Sequence, residues 1–143
     1  MNIYAESSAV LAWLLGEPDG ERARLVLDDA EQIVASQLTL VECDRVLIRS
    51  VALGLKNEAE AADRHARLEA AATGWTILGL GSELIGRARQ PFPGEPVRTL
   101  DALHLASALA ARQAVAGLAL LSLDDRLRAV ARRLGFALAP HDA

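Results

Sequence analysis

Short, mostly apolar segments alternate along the chain with longer stretches in which apolar residues recur every three or four positions. Segments 3–5, 32–35, 75–80, 118–123 and 136–139 have the length and composition of strands. Helical spacing fills the intervals. Val10, Leu11, Leu14 and Leu15 lie behind Ser7 or Ser8 as a cap, and Gly16 and Pro18 stop that helix. Ala23, Val26, Leu27 and Ala30 mark a second helix from about Gly20 to Asp29. A long helix starts at Ser36 or Thr39 and runs to about Leu53, with Gly54 as its stop. Asn57 caps the next, to about Thr73, and a short one passes through Leu84, Ile85 and Ala88. The prolines of Pro91-Phe92-Pro93-Gly94-Glu95-Pro96 exclude helix there. Two more helices follow, from Asp101 to about Gln113 and from Asp124 or Asp125 to Leu134, before Gly135.

Strands that alternate with helices pair in parallel through helical crossovers. The fold expected is therefore α/β, a three-layer α/β/α sandwich with a central, mainly parallel sheet. Neither an internal repeat nor a linker is visible, so residues 1–143 read as a single domain.

Composition narrows the picture. The chain is 52% hydrophobic and 24% charged, which suits a compact core and excludes disorder. Only 3% is aromatic, so the core is built from small and branched aliphatics. Cys43 is the one cysteine, which rules out an internal disulfide and a cysteine zinc site. No basic, apolar leader follows Met1, and no apolar run is long enough to span a bilayer, so a cytoplasmic setting is expected. A net charge of −4 does not advertise nucleic-acid binding. Lys56 is the only lysine among the 15 basic residues, however, and arginine suits bidentate contact with phosphate or carboxylate.

Chemistry enters with the acids. In a parallel α/β sheet, helix N-termini and strand C-termini share one edge, where ligands bind. Glu6 ends the first strand, and Glu42 lies near the start of the helix after the second. Asp101 begins the helix that leads into the 118–123 strand, and Asp124 ends that strand. Each has a local explanation. Thr39-Leu40-Val41-Glu42 matches a capping box, and Glu42 is also spaced to pair with Arg45 or Arg49. Asp101 suits a first turn behind a Thr99 cap, and Asp124 suits an N-cap. Jointly these explanations weaken, because two carboxylates ~5 Å apart repel by roughly 3 kcal/mol at an effective dielectric near 20. A cluster of such groups calls for a cation or for raised pKa values. Oxygen ligands without cysteine suit Mg²⁺ or Mn²⁺.

Ile3-Tyr4-Ala5-Glu6-Ser7-Ser8-Ala9 resembles the opening of PIN-domain proteins. Leu38-Thr39-Leu40-Val41-Glu42, Thr99-Leu100-Asp101-Ala102-Leu103-His104-Leu105-Ala106 and Leu121-Ser122-Leu123-Asp124-Asp125-Arg126-Leu127 resemble the later blocks, in order. The similarity is to VapC-type toxins of type II toxin–antitoxin modules and spans essentially the whole chain. It implies a Mg²⁺-dependent ribonuclease whose metal ligands are Glu6, Glu42, Asp101 and Asp124. Ser8 and Ser122 match hydroxyl positions beside those ligands, and Asp125 is a further acid behind them. Homodimers and inhibition by a small antitoxin protein are also implied. One departure stands out: Glu6 occupies a position where the family usually has aspartate. That longer side chain leaves open a weakened module that acts mainly by binding its partner.

Among the remaining residues, Arg45, Arg49, Arg98 and Arg126 lie close in sequence to the acids and are candidates for RNA phosphate contacts, or for ion pairs. His104 shares a helix face with Asp101; it reads as a packed histidine or as one that orients a ligand. Trp13 and Trp75 read as core, and His65 and His141 as surface. Phosphate chemistry through an Asp-x-Asp pair is disfavoured, since none follows the first strand.

Overall fold

The computed structural model describes residues 1–142. Five strands, β1 (Asn2–Ala5), β2 (Gln32–Ser36), β3 (Thr76–Leu78), β4 (Ala119–Leu121) and β5 (Ala137–Ala139), form one sheet in the order β3-β2-β1-β4-β5. Every neighbouring pair is parallel. Seven helices connect them: α1 (Ser7–Leu15), α2 (Gly20–Asp29), α3 (Gln37–Ala52), α4 (Glu58–Ala72), α5 (Ser82–Ala88), α6 (Thr99–Ala114) and α7 (Asp125–Arg133). None of these helices is long and apolar enough to cross a membrane.

The two-residue period of a strand sends alternate side chains to opposite faces, and the core divides accordingly. Ile3, Ala5, Ala35, Ala119 and Leu121 pack with Val10 and Leu14 of α1, Leu27 of α2, Cys43 of α3 and Leu68 of α4. Tyr4, Val34 and Leu120 pack on the other face with Leu105 and Ala108 of α6, Leu127 and Val130 of α7, and Phe92. Val34, Tyr4, Leu120 and Leu138 stand in register across the sheet as a single row. The expected three-layer sandwich is realised.

The chain runs outward from β1 to β3 on one side and then from β4 to β5 on the other. The topological switch point therefore lies at the carboxyl ends of β1 and β4, the place where open α/β sheets bind ligands. One hydrogen bond extends the pairing past β1, from Glu6 N to Leu121 O at 3.0 Å.

Several local assignments differ from the sequence expectation. Glu6, not Ser7 or Ser8, caps α1: its side chain accepts from Ser8 N. Ser36 wins the contest to cap α3, so that helix begins early and Glu42 lies in its second turn. The Thr39–Glu42 capping box does not form; Thr39 is buried and its hydroxyl donates to Ala5 O at 3.1 Å instead. Helix α6 starts at Thr99 with Arg98 at the cap position and no side-chain cap. Asn57 and Glu60 do form a reciprocal capping box on α4.

Helices α1 and α2 meet at Gly20, where a β-carbon would lie 2.1 Å from Ala12 O. Glycine is required there by space, because an added methyl forces the two backbones apart. Gly20→Ala is expected to cost about 1–3 kcal/mol. Gly86 in α5 has nothing within 4 Å, so Gly86→Ala is expected to be neutral or slightly stabilising. Thermal unfolding followed by circular dichroism checks the contrast, and equal melting temperatures for the two variants would refute it.

Candidate acidic site at the carboxyl edge of the sheet

Glu6 is the first residue beyond β1, and only 6% of it is exposed. Its extra methylene lets the carboxylate fold back over its own helix. Oε1 accepts from Ser8 N at 3.0 Å, and Oε2 accepts from the hydroxyls of Ser8 and Ser122, the latter at 2.7 Å. The same hydroxyls hold the loop after β4: Ser8 Oγ accepts from Leu123 N at 2.9 Å and Ser122 Oγ from Asp124 N at 3.1 Å. Burial pushes the Glu6 pKa up, and the His104 charge and the serine hydrogen bonds only partly offset it.

Glu42 projects from α3 toward α1 and α6. Its Oε1 accepts from Ser7 Oγ at 2.6 Å and from His104 Nε2. His104 is 1% exposed, and its Nδ1 lies 2.9 Å from the hydroxyl of Tyr4, which is wholly buried in β1. Tyr4 and Glu42 thus hold the imidazole from opposite sides, one at each ring nitrogen. Burial pushes the Tyr4 pKa up to about 12, which keeps it a donor. Burial also pushes Glu42 upward, but the hydrogen bonds of His104 and Ser7 and the His104 charge outweigh it, and the net shift is downward. Glu42 is thus held ionised.

Asp101 and Asp124 share a guanidinium. Arg98 Nε lies 3.0 Å from Asp101 Oδ2, and its Nη2 lies 3.1 Å from Asp124 Oδ2. Asp124 also caps α7, its Oδ1 accepting from Arg126 N at 2.9 Å and Leu127 N at 3.1 Å. Asp124 caps α7 as expected, Asp101 sits in the first turn of α6 without the expected Thr99 cap, and the two carboxylates still reach one cation.

The expectation that all four acids close on a single ion is not met as drawn. Among the described residues no three His, Cys, Asp or Glu side chains are grouped to hold a metal ion. The reason is local: both oxygens of Glu6 are taken by Ser8 and Ser122, Glu42 is tied to His104, and Arg98 stands between the two aspartates. The donor chemistry nevertheless fits a hard divalent cation. Asp101 and Asp124 already bracket a positive group, and Glu42 supplies a third ionised oxygen donor at the same edge.

The other expected residues divide. Ser8 and Ser122 do touch Glu6. Asp125 is exposed and lines a pocket with Asp19, Arg22 and Arg128. Arg45 and Arg49 are exposed on α3 and, among the described residues, neither pairs with Glu42. Arg98 makes the ion pairs described, and Arg126 lines a cavity beside Asp101. Trp13 and Trp75 pack against the core as expected. His65 is half exposed and pairs with Asp44. Cys43 is fully buried, and burial raises its thiol pKa well above the ordinary value.

Three contributors escaped the sequence reading: Ser7 as a donor to Glu42, Tyr4 as the support of His104, and Arg128. The last is 7% exposed and binds the carbonyls of Ser122, Ala139 and Pro140, fixing the ends of β4 and β5. The available signal for Tyr4 was its place as the lone tyrosine in a strand one residue pair before Glu6.

A sequence model of the PIN domain matches residues 3–133. The chain is 32% identical to Ribonuclease VapC46 of Mycobacterium tuberculosis, over 95% of each chain. It is 30% identical to Ribonuclease VapC35 of the same organism, over 95% of this chain and 94% of that one. In fold it is similar to FitAcB of Neisseria gonorrhoeae, with a TM-score of 0.70, 20% identity and 95% coverage of each chain. It is also similar to the sarcin–ricin-loop-cleaving toxin VapC20 of M. tuberculosis, with a TM-score of 0.65, 15% identity, and coverage of 94% of this chain and 96% of that one.

The raised Glu6 pKa has a consequence for stability. A carboxyl that holds its proton more tightly when folded contributes fully below its unfolded pKa, near 4.5, and that contribution is lost as pH rises through the folded value. Each unit of displacement is worth about 1.4 kcal/mol. Glu6→Gln, which has no charge to bury, is expected to gain on the unsubstituted protein as pH rises above 4.5. Urea unfolding in EDTA at a series of pH values checks this; a stability difference that does not change with pH would refute it.

Proposed function

This chain belongs to the PIN-domain family, and we propose on that footing that it is a metal-dependent endoribonuclease, the toxin of a type II toxin–antitoxin module. The observation that carries the reading is the Asp101–Asp124 pair, bracketing one cation beside an ionised Glu42 at the switch point of the sheet. The names of the VapC relatives and the fold shared with toxin–antitoxin proteins support it.

Asp101, Asp124 and Glu42 would hold Mg²⁺, or Mn²⁺ in its place, while Glu6 braces the junction behind them. A bound divalent ion lowers the pKa of a coordinated water and stabilises charge on a phosphoryl oxygen. Asp101 and Asp124 are held by two different helix starts, so the pair keeps its spacing when Arg98 moves aside. Arg98 is free to do so: its side chain is 61% exposed, and solvent screens a surface ion pair of this kind. Glu42 Oε1 is occupied by Ser7 and His104, whereas Oε2 has no hydrogen bond among the described residues. Oε2 is therefore the oxygen left free to face the ion, and water attack at phosphorus breaks the P–O ester bond to leave a phosphate monoester and a hydroxyl. Arg126, with Arg98 once displaced, contacts the RNA backbone; Arg45 and Arg49 extend that positive surface along α3. The partners of this reading are a small antitoxin and a second copy of the chain in a cytoplasmic homodimer.

One observation favours a second reading, a module that binds its antitoxin without cutting RNA. Glu6 is saturated by serine donors, and no group of three acids is assembled among the described residues.

Cleavage assays on the partner-free protein separate the two. Single-stranded RNA is expected to be cut in Mg²⁺, not in EDTA, and at least about a hundredfold more slowly by Asp101→Asn or Glu42→Gln, with melting temperatures little changed. Undiminished cutting in EDTA would overturn metal dependence, and no cutting in Mg²⁺ or Mn²⁺ would leave the binding module.

A further inference from the structure

Beside Asp101 lies a cavity of about 270 Å³ between the loop that precedes α6 and the exposed side of α7. Its floor is apolar: Leu105, Leu127 and Val130 are all buried. Arg126 and Arg133 line it from exposed positions on α7, and neither side chain forms a hydrogen bond or ion pair among the described residues. Asp101 and Arg98 complete the wall nearest the acidic site.

The cavity is built rather than incidental. Glu95 folds back over its own loop, Oε2 accepting from Phe92 N at 2.8 Å and Oε1 from Val97 N at 2.6 Å. Phe92, 4% exposed, anchors the loop in the core. Gly94, at φ +85, passes so close to α7 that a β-carbon there would lie 3.4 Å from Arg133 Nη1. A wall fixed in this way needs no ordering when a ligand arrives.

We propose that this cavity receives one unpaired nucleobase of the RNA strand whose phosphate lies at Asp101 and Asp124, and so sets which sequence is cut. The proposal rests on RNA being the substrate, and it adds where the base is read. Drug-sized ligands occupy roughly 300–1,000 Å³, so a space this small suits a single ring system. A base offers a flat apolar face to the Leu105–Leu127–Val130 floor and ring acceptors at its edge. Arg133 supplies guanidinium donors and a stacking plane for those groups, with Arg126 left for the adjoining phosphate, and single-stranded RNA is recognised through splayed bases of this kind. Arginines without partners also favour the adjoining phosphates. A basic peptide is disfavoured by the same charges.

Ala129 lines the cavity from an exposed position on α7, so Ala129→Leu narrows it without removing a helix former. The test cuts a randomised single-stranded RNA pool in Mg²⁺ with the whole protein, Ala129→Leu and Arg133→Ala, and reads the base found at each position around the cut. It is paired with anisotropy titration of a fluorescent hexaribonucleotide in EDTA. The unsubstituted protein is expected to prefer particular bases at one position next to the cut. Both variants relax that preference and bind the hexamer about tenfold more weakly, while Mn²⁺ affinity stays the same. Cutting by the unsubstituted protein with no preference, or with one that survives Ala129→Leu, would overturn the base pocket and leave the nuclease standing. Failure of the unsubstituted protein to cut or bind any RNA would overturn both. Weakened antitoxin binding by Ala129→Leu with RNA preference intact would assign the cavity to the protein partner instead.

Discussion

Carboxylates gathered where β1 and β4 end have to be neutralised, and the chain does this by three routes at once. Glu6 is buried among serine donors, and that burial shifts its pKa upward. Glu42 is ionised and answered by a histidine that Tyr4 holds from the core. Asp101 and Asp124 stay at the surface and share Arg98. The helix starts, the loop after β4 and the position of α6 are all tied to one or another of these arrangements. A carboxylate held by buried, immobile donors is structural in character, whereas one held by an exposed guanidinium is available for exchange. That difference in partner mobility, rather than the count of acids, is why the Asp101–Asp124 side is proposed as the functional end.

Much of this was legible in the residues. The alternation of apolar segments and helical periods was enough for a parallel sandwich, because parallel pairing follows from crossover connections regardless of strand order. The placing of Glu6, Glu42, Asp101 and Asp124 on one edge followed from the same rule. Strand order did not follow, since nothing in the spacing says that β4 returns to lie beside β1. Side-chain direction was also out of reach. Thr39 and Glu42 have capping-box spacing, yet Ser36 captures the helix start and releases Glu42 to face His104. Local propensity offered two caps, and tertiary contacts chose between them.

Glu6 is where the sequence and the structure speak most differently. Read along the chain, it is a longer substitute for an aspartate at a ligand position. In the structure, that added length is spent on reaching back to Ser8 N and across to Ser122 Oγ. The result is a firm junction between β1, α1 and the loop after β4. It stabilises the scaffold that carries Asp124, while drawing one carboxylate out of the acidic group. Arg98 then has only two acids to satisfy, and one guanidinium suffices.

The edge defined by Asp101, Asp124 and Glu42 is proposed as a cation site for which Arg98 and a divalent ion compete. Electron paramagnetic resonance of the partner-free protein titrated with Mn²⁺ tests it most directly, because free and bound ions are counted without reference to catalysis. Saturable binding is predicted, lost in Asp101→Asn and tighter by roughly three- to tenfold in Arg98→Ala, where a competing positive charge is removed. Absence of bound Mn²⁺ at millimolar metal in both the unsubstituted protein and Arg98→Ala would contradict the account.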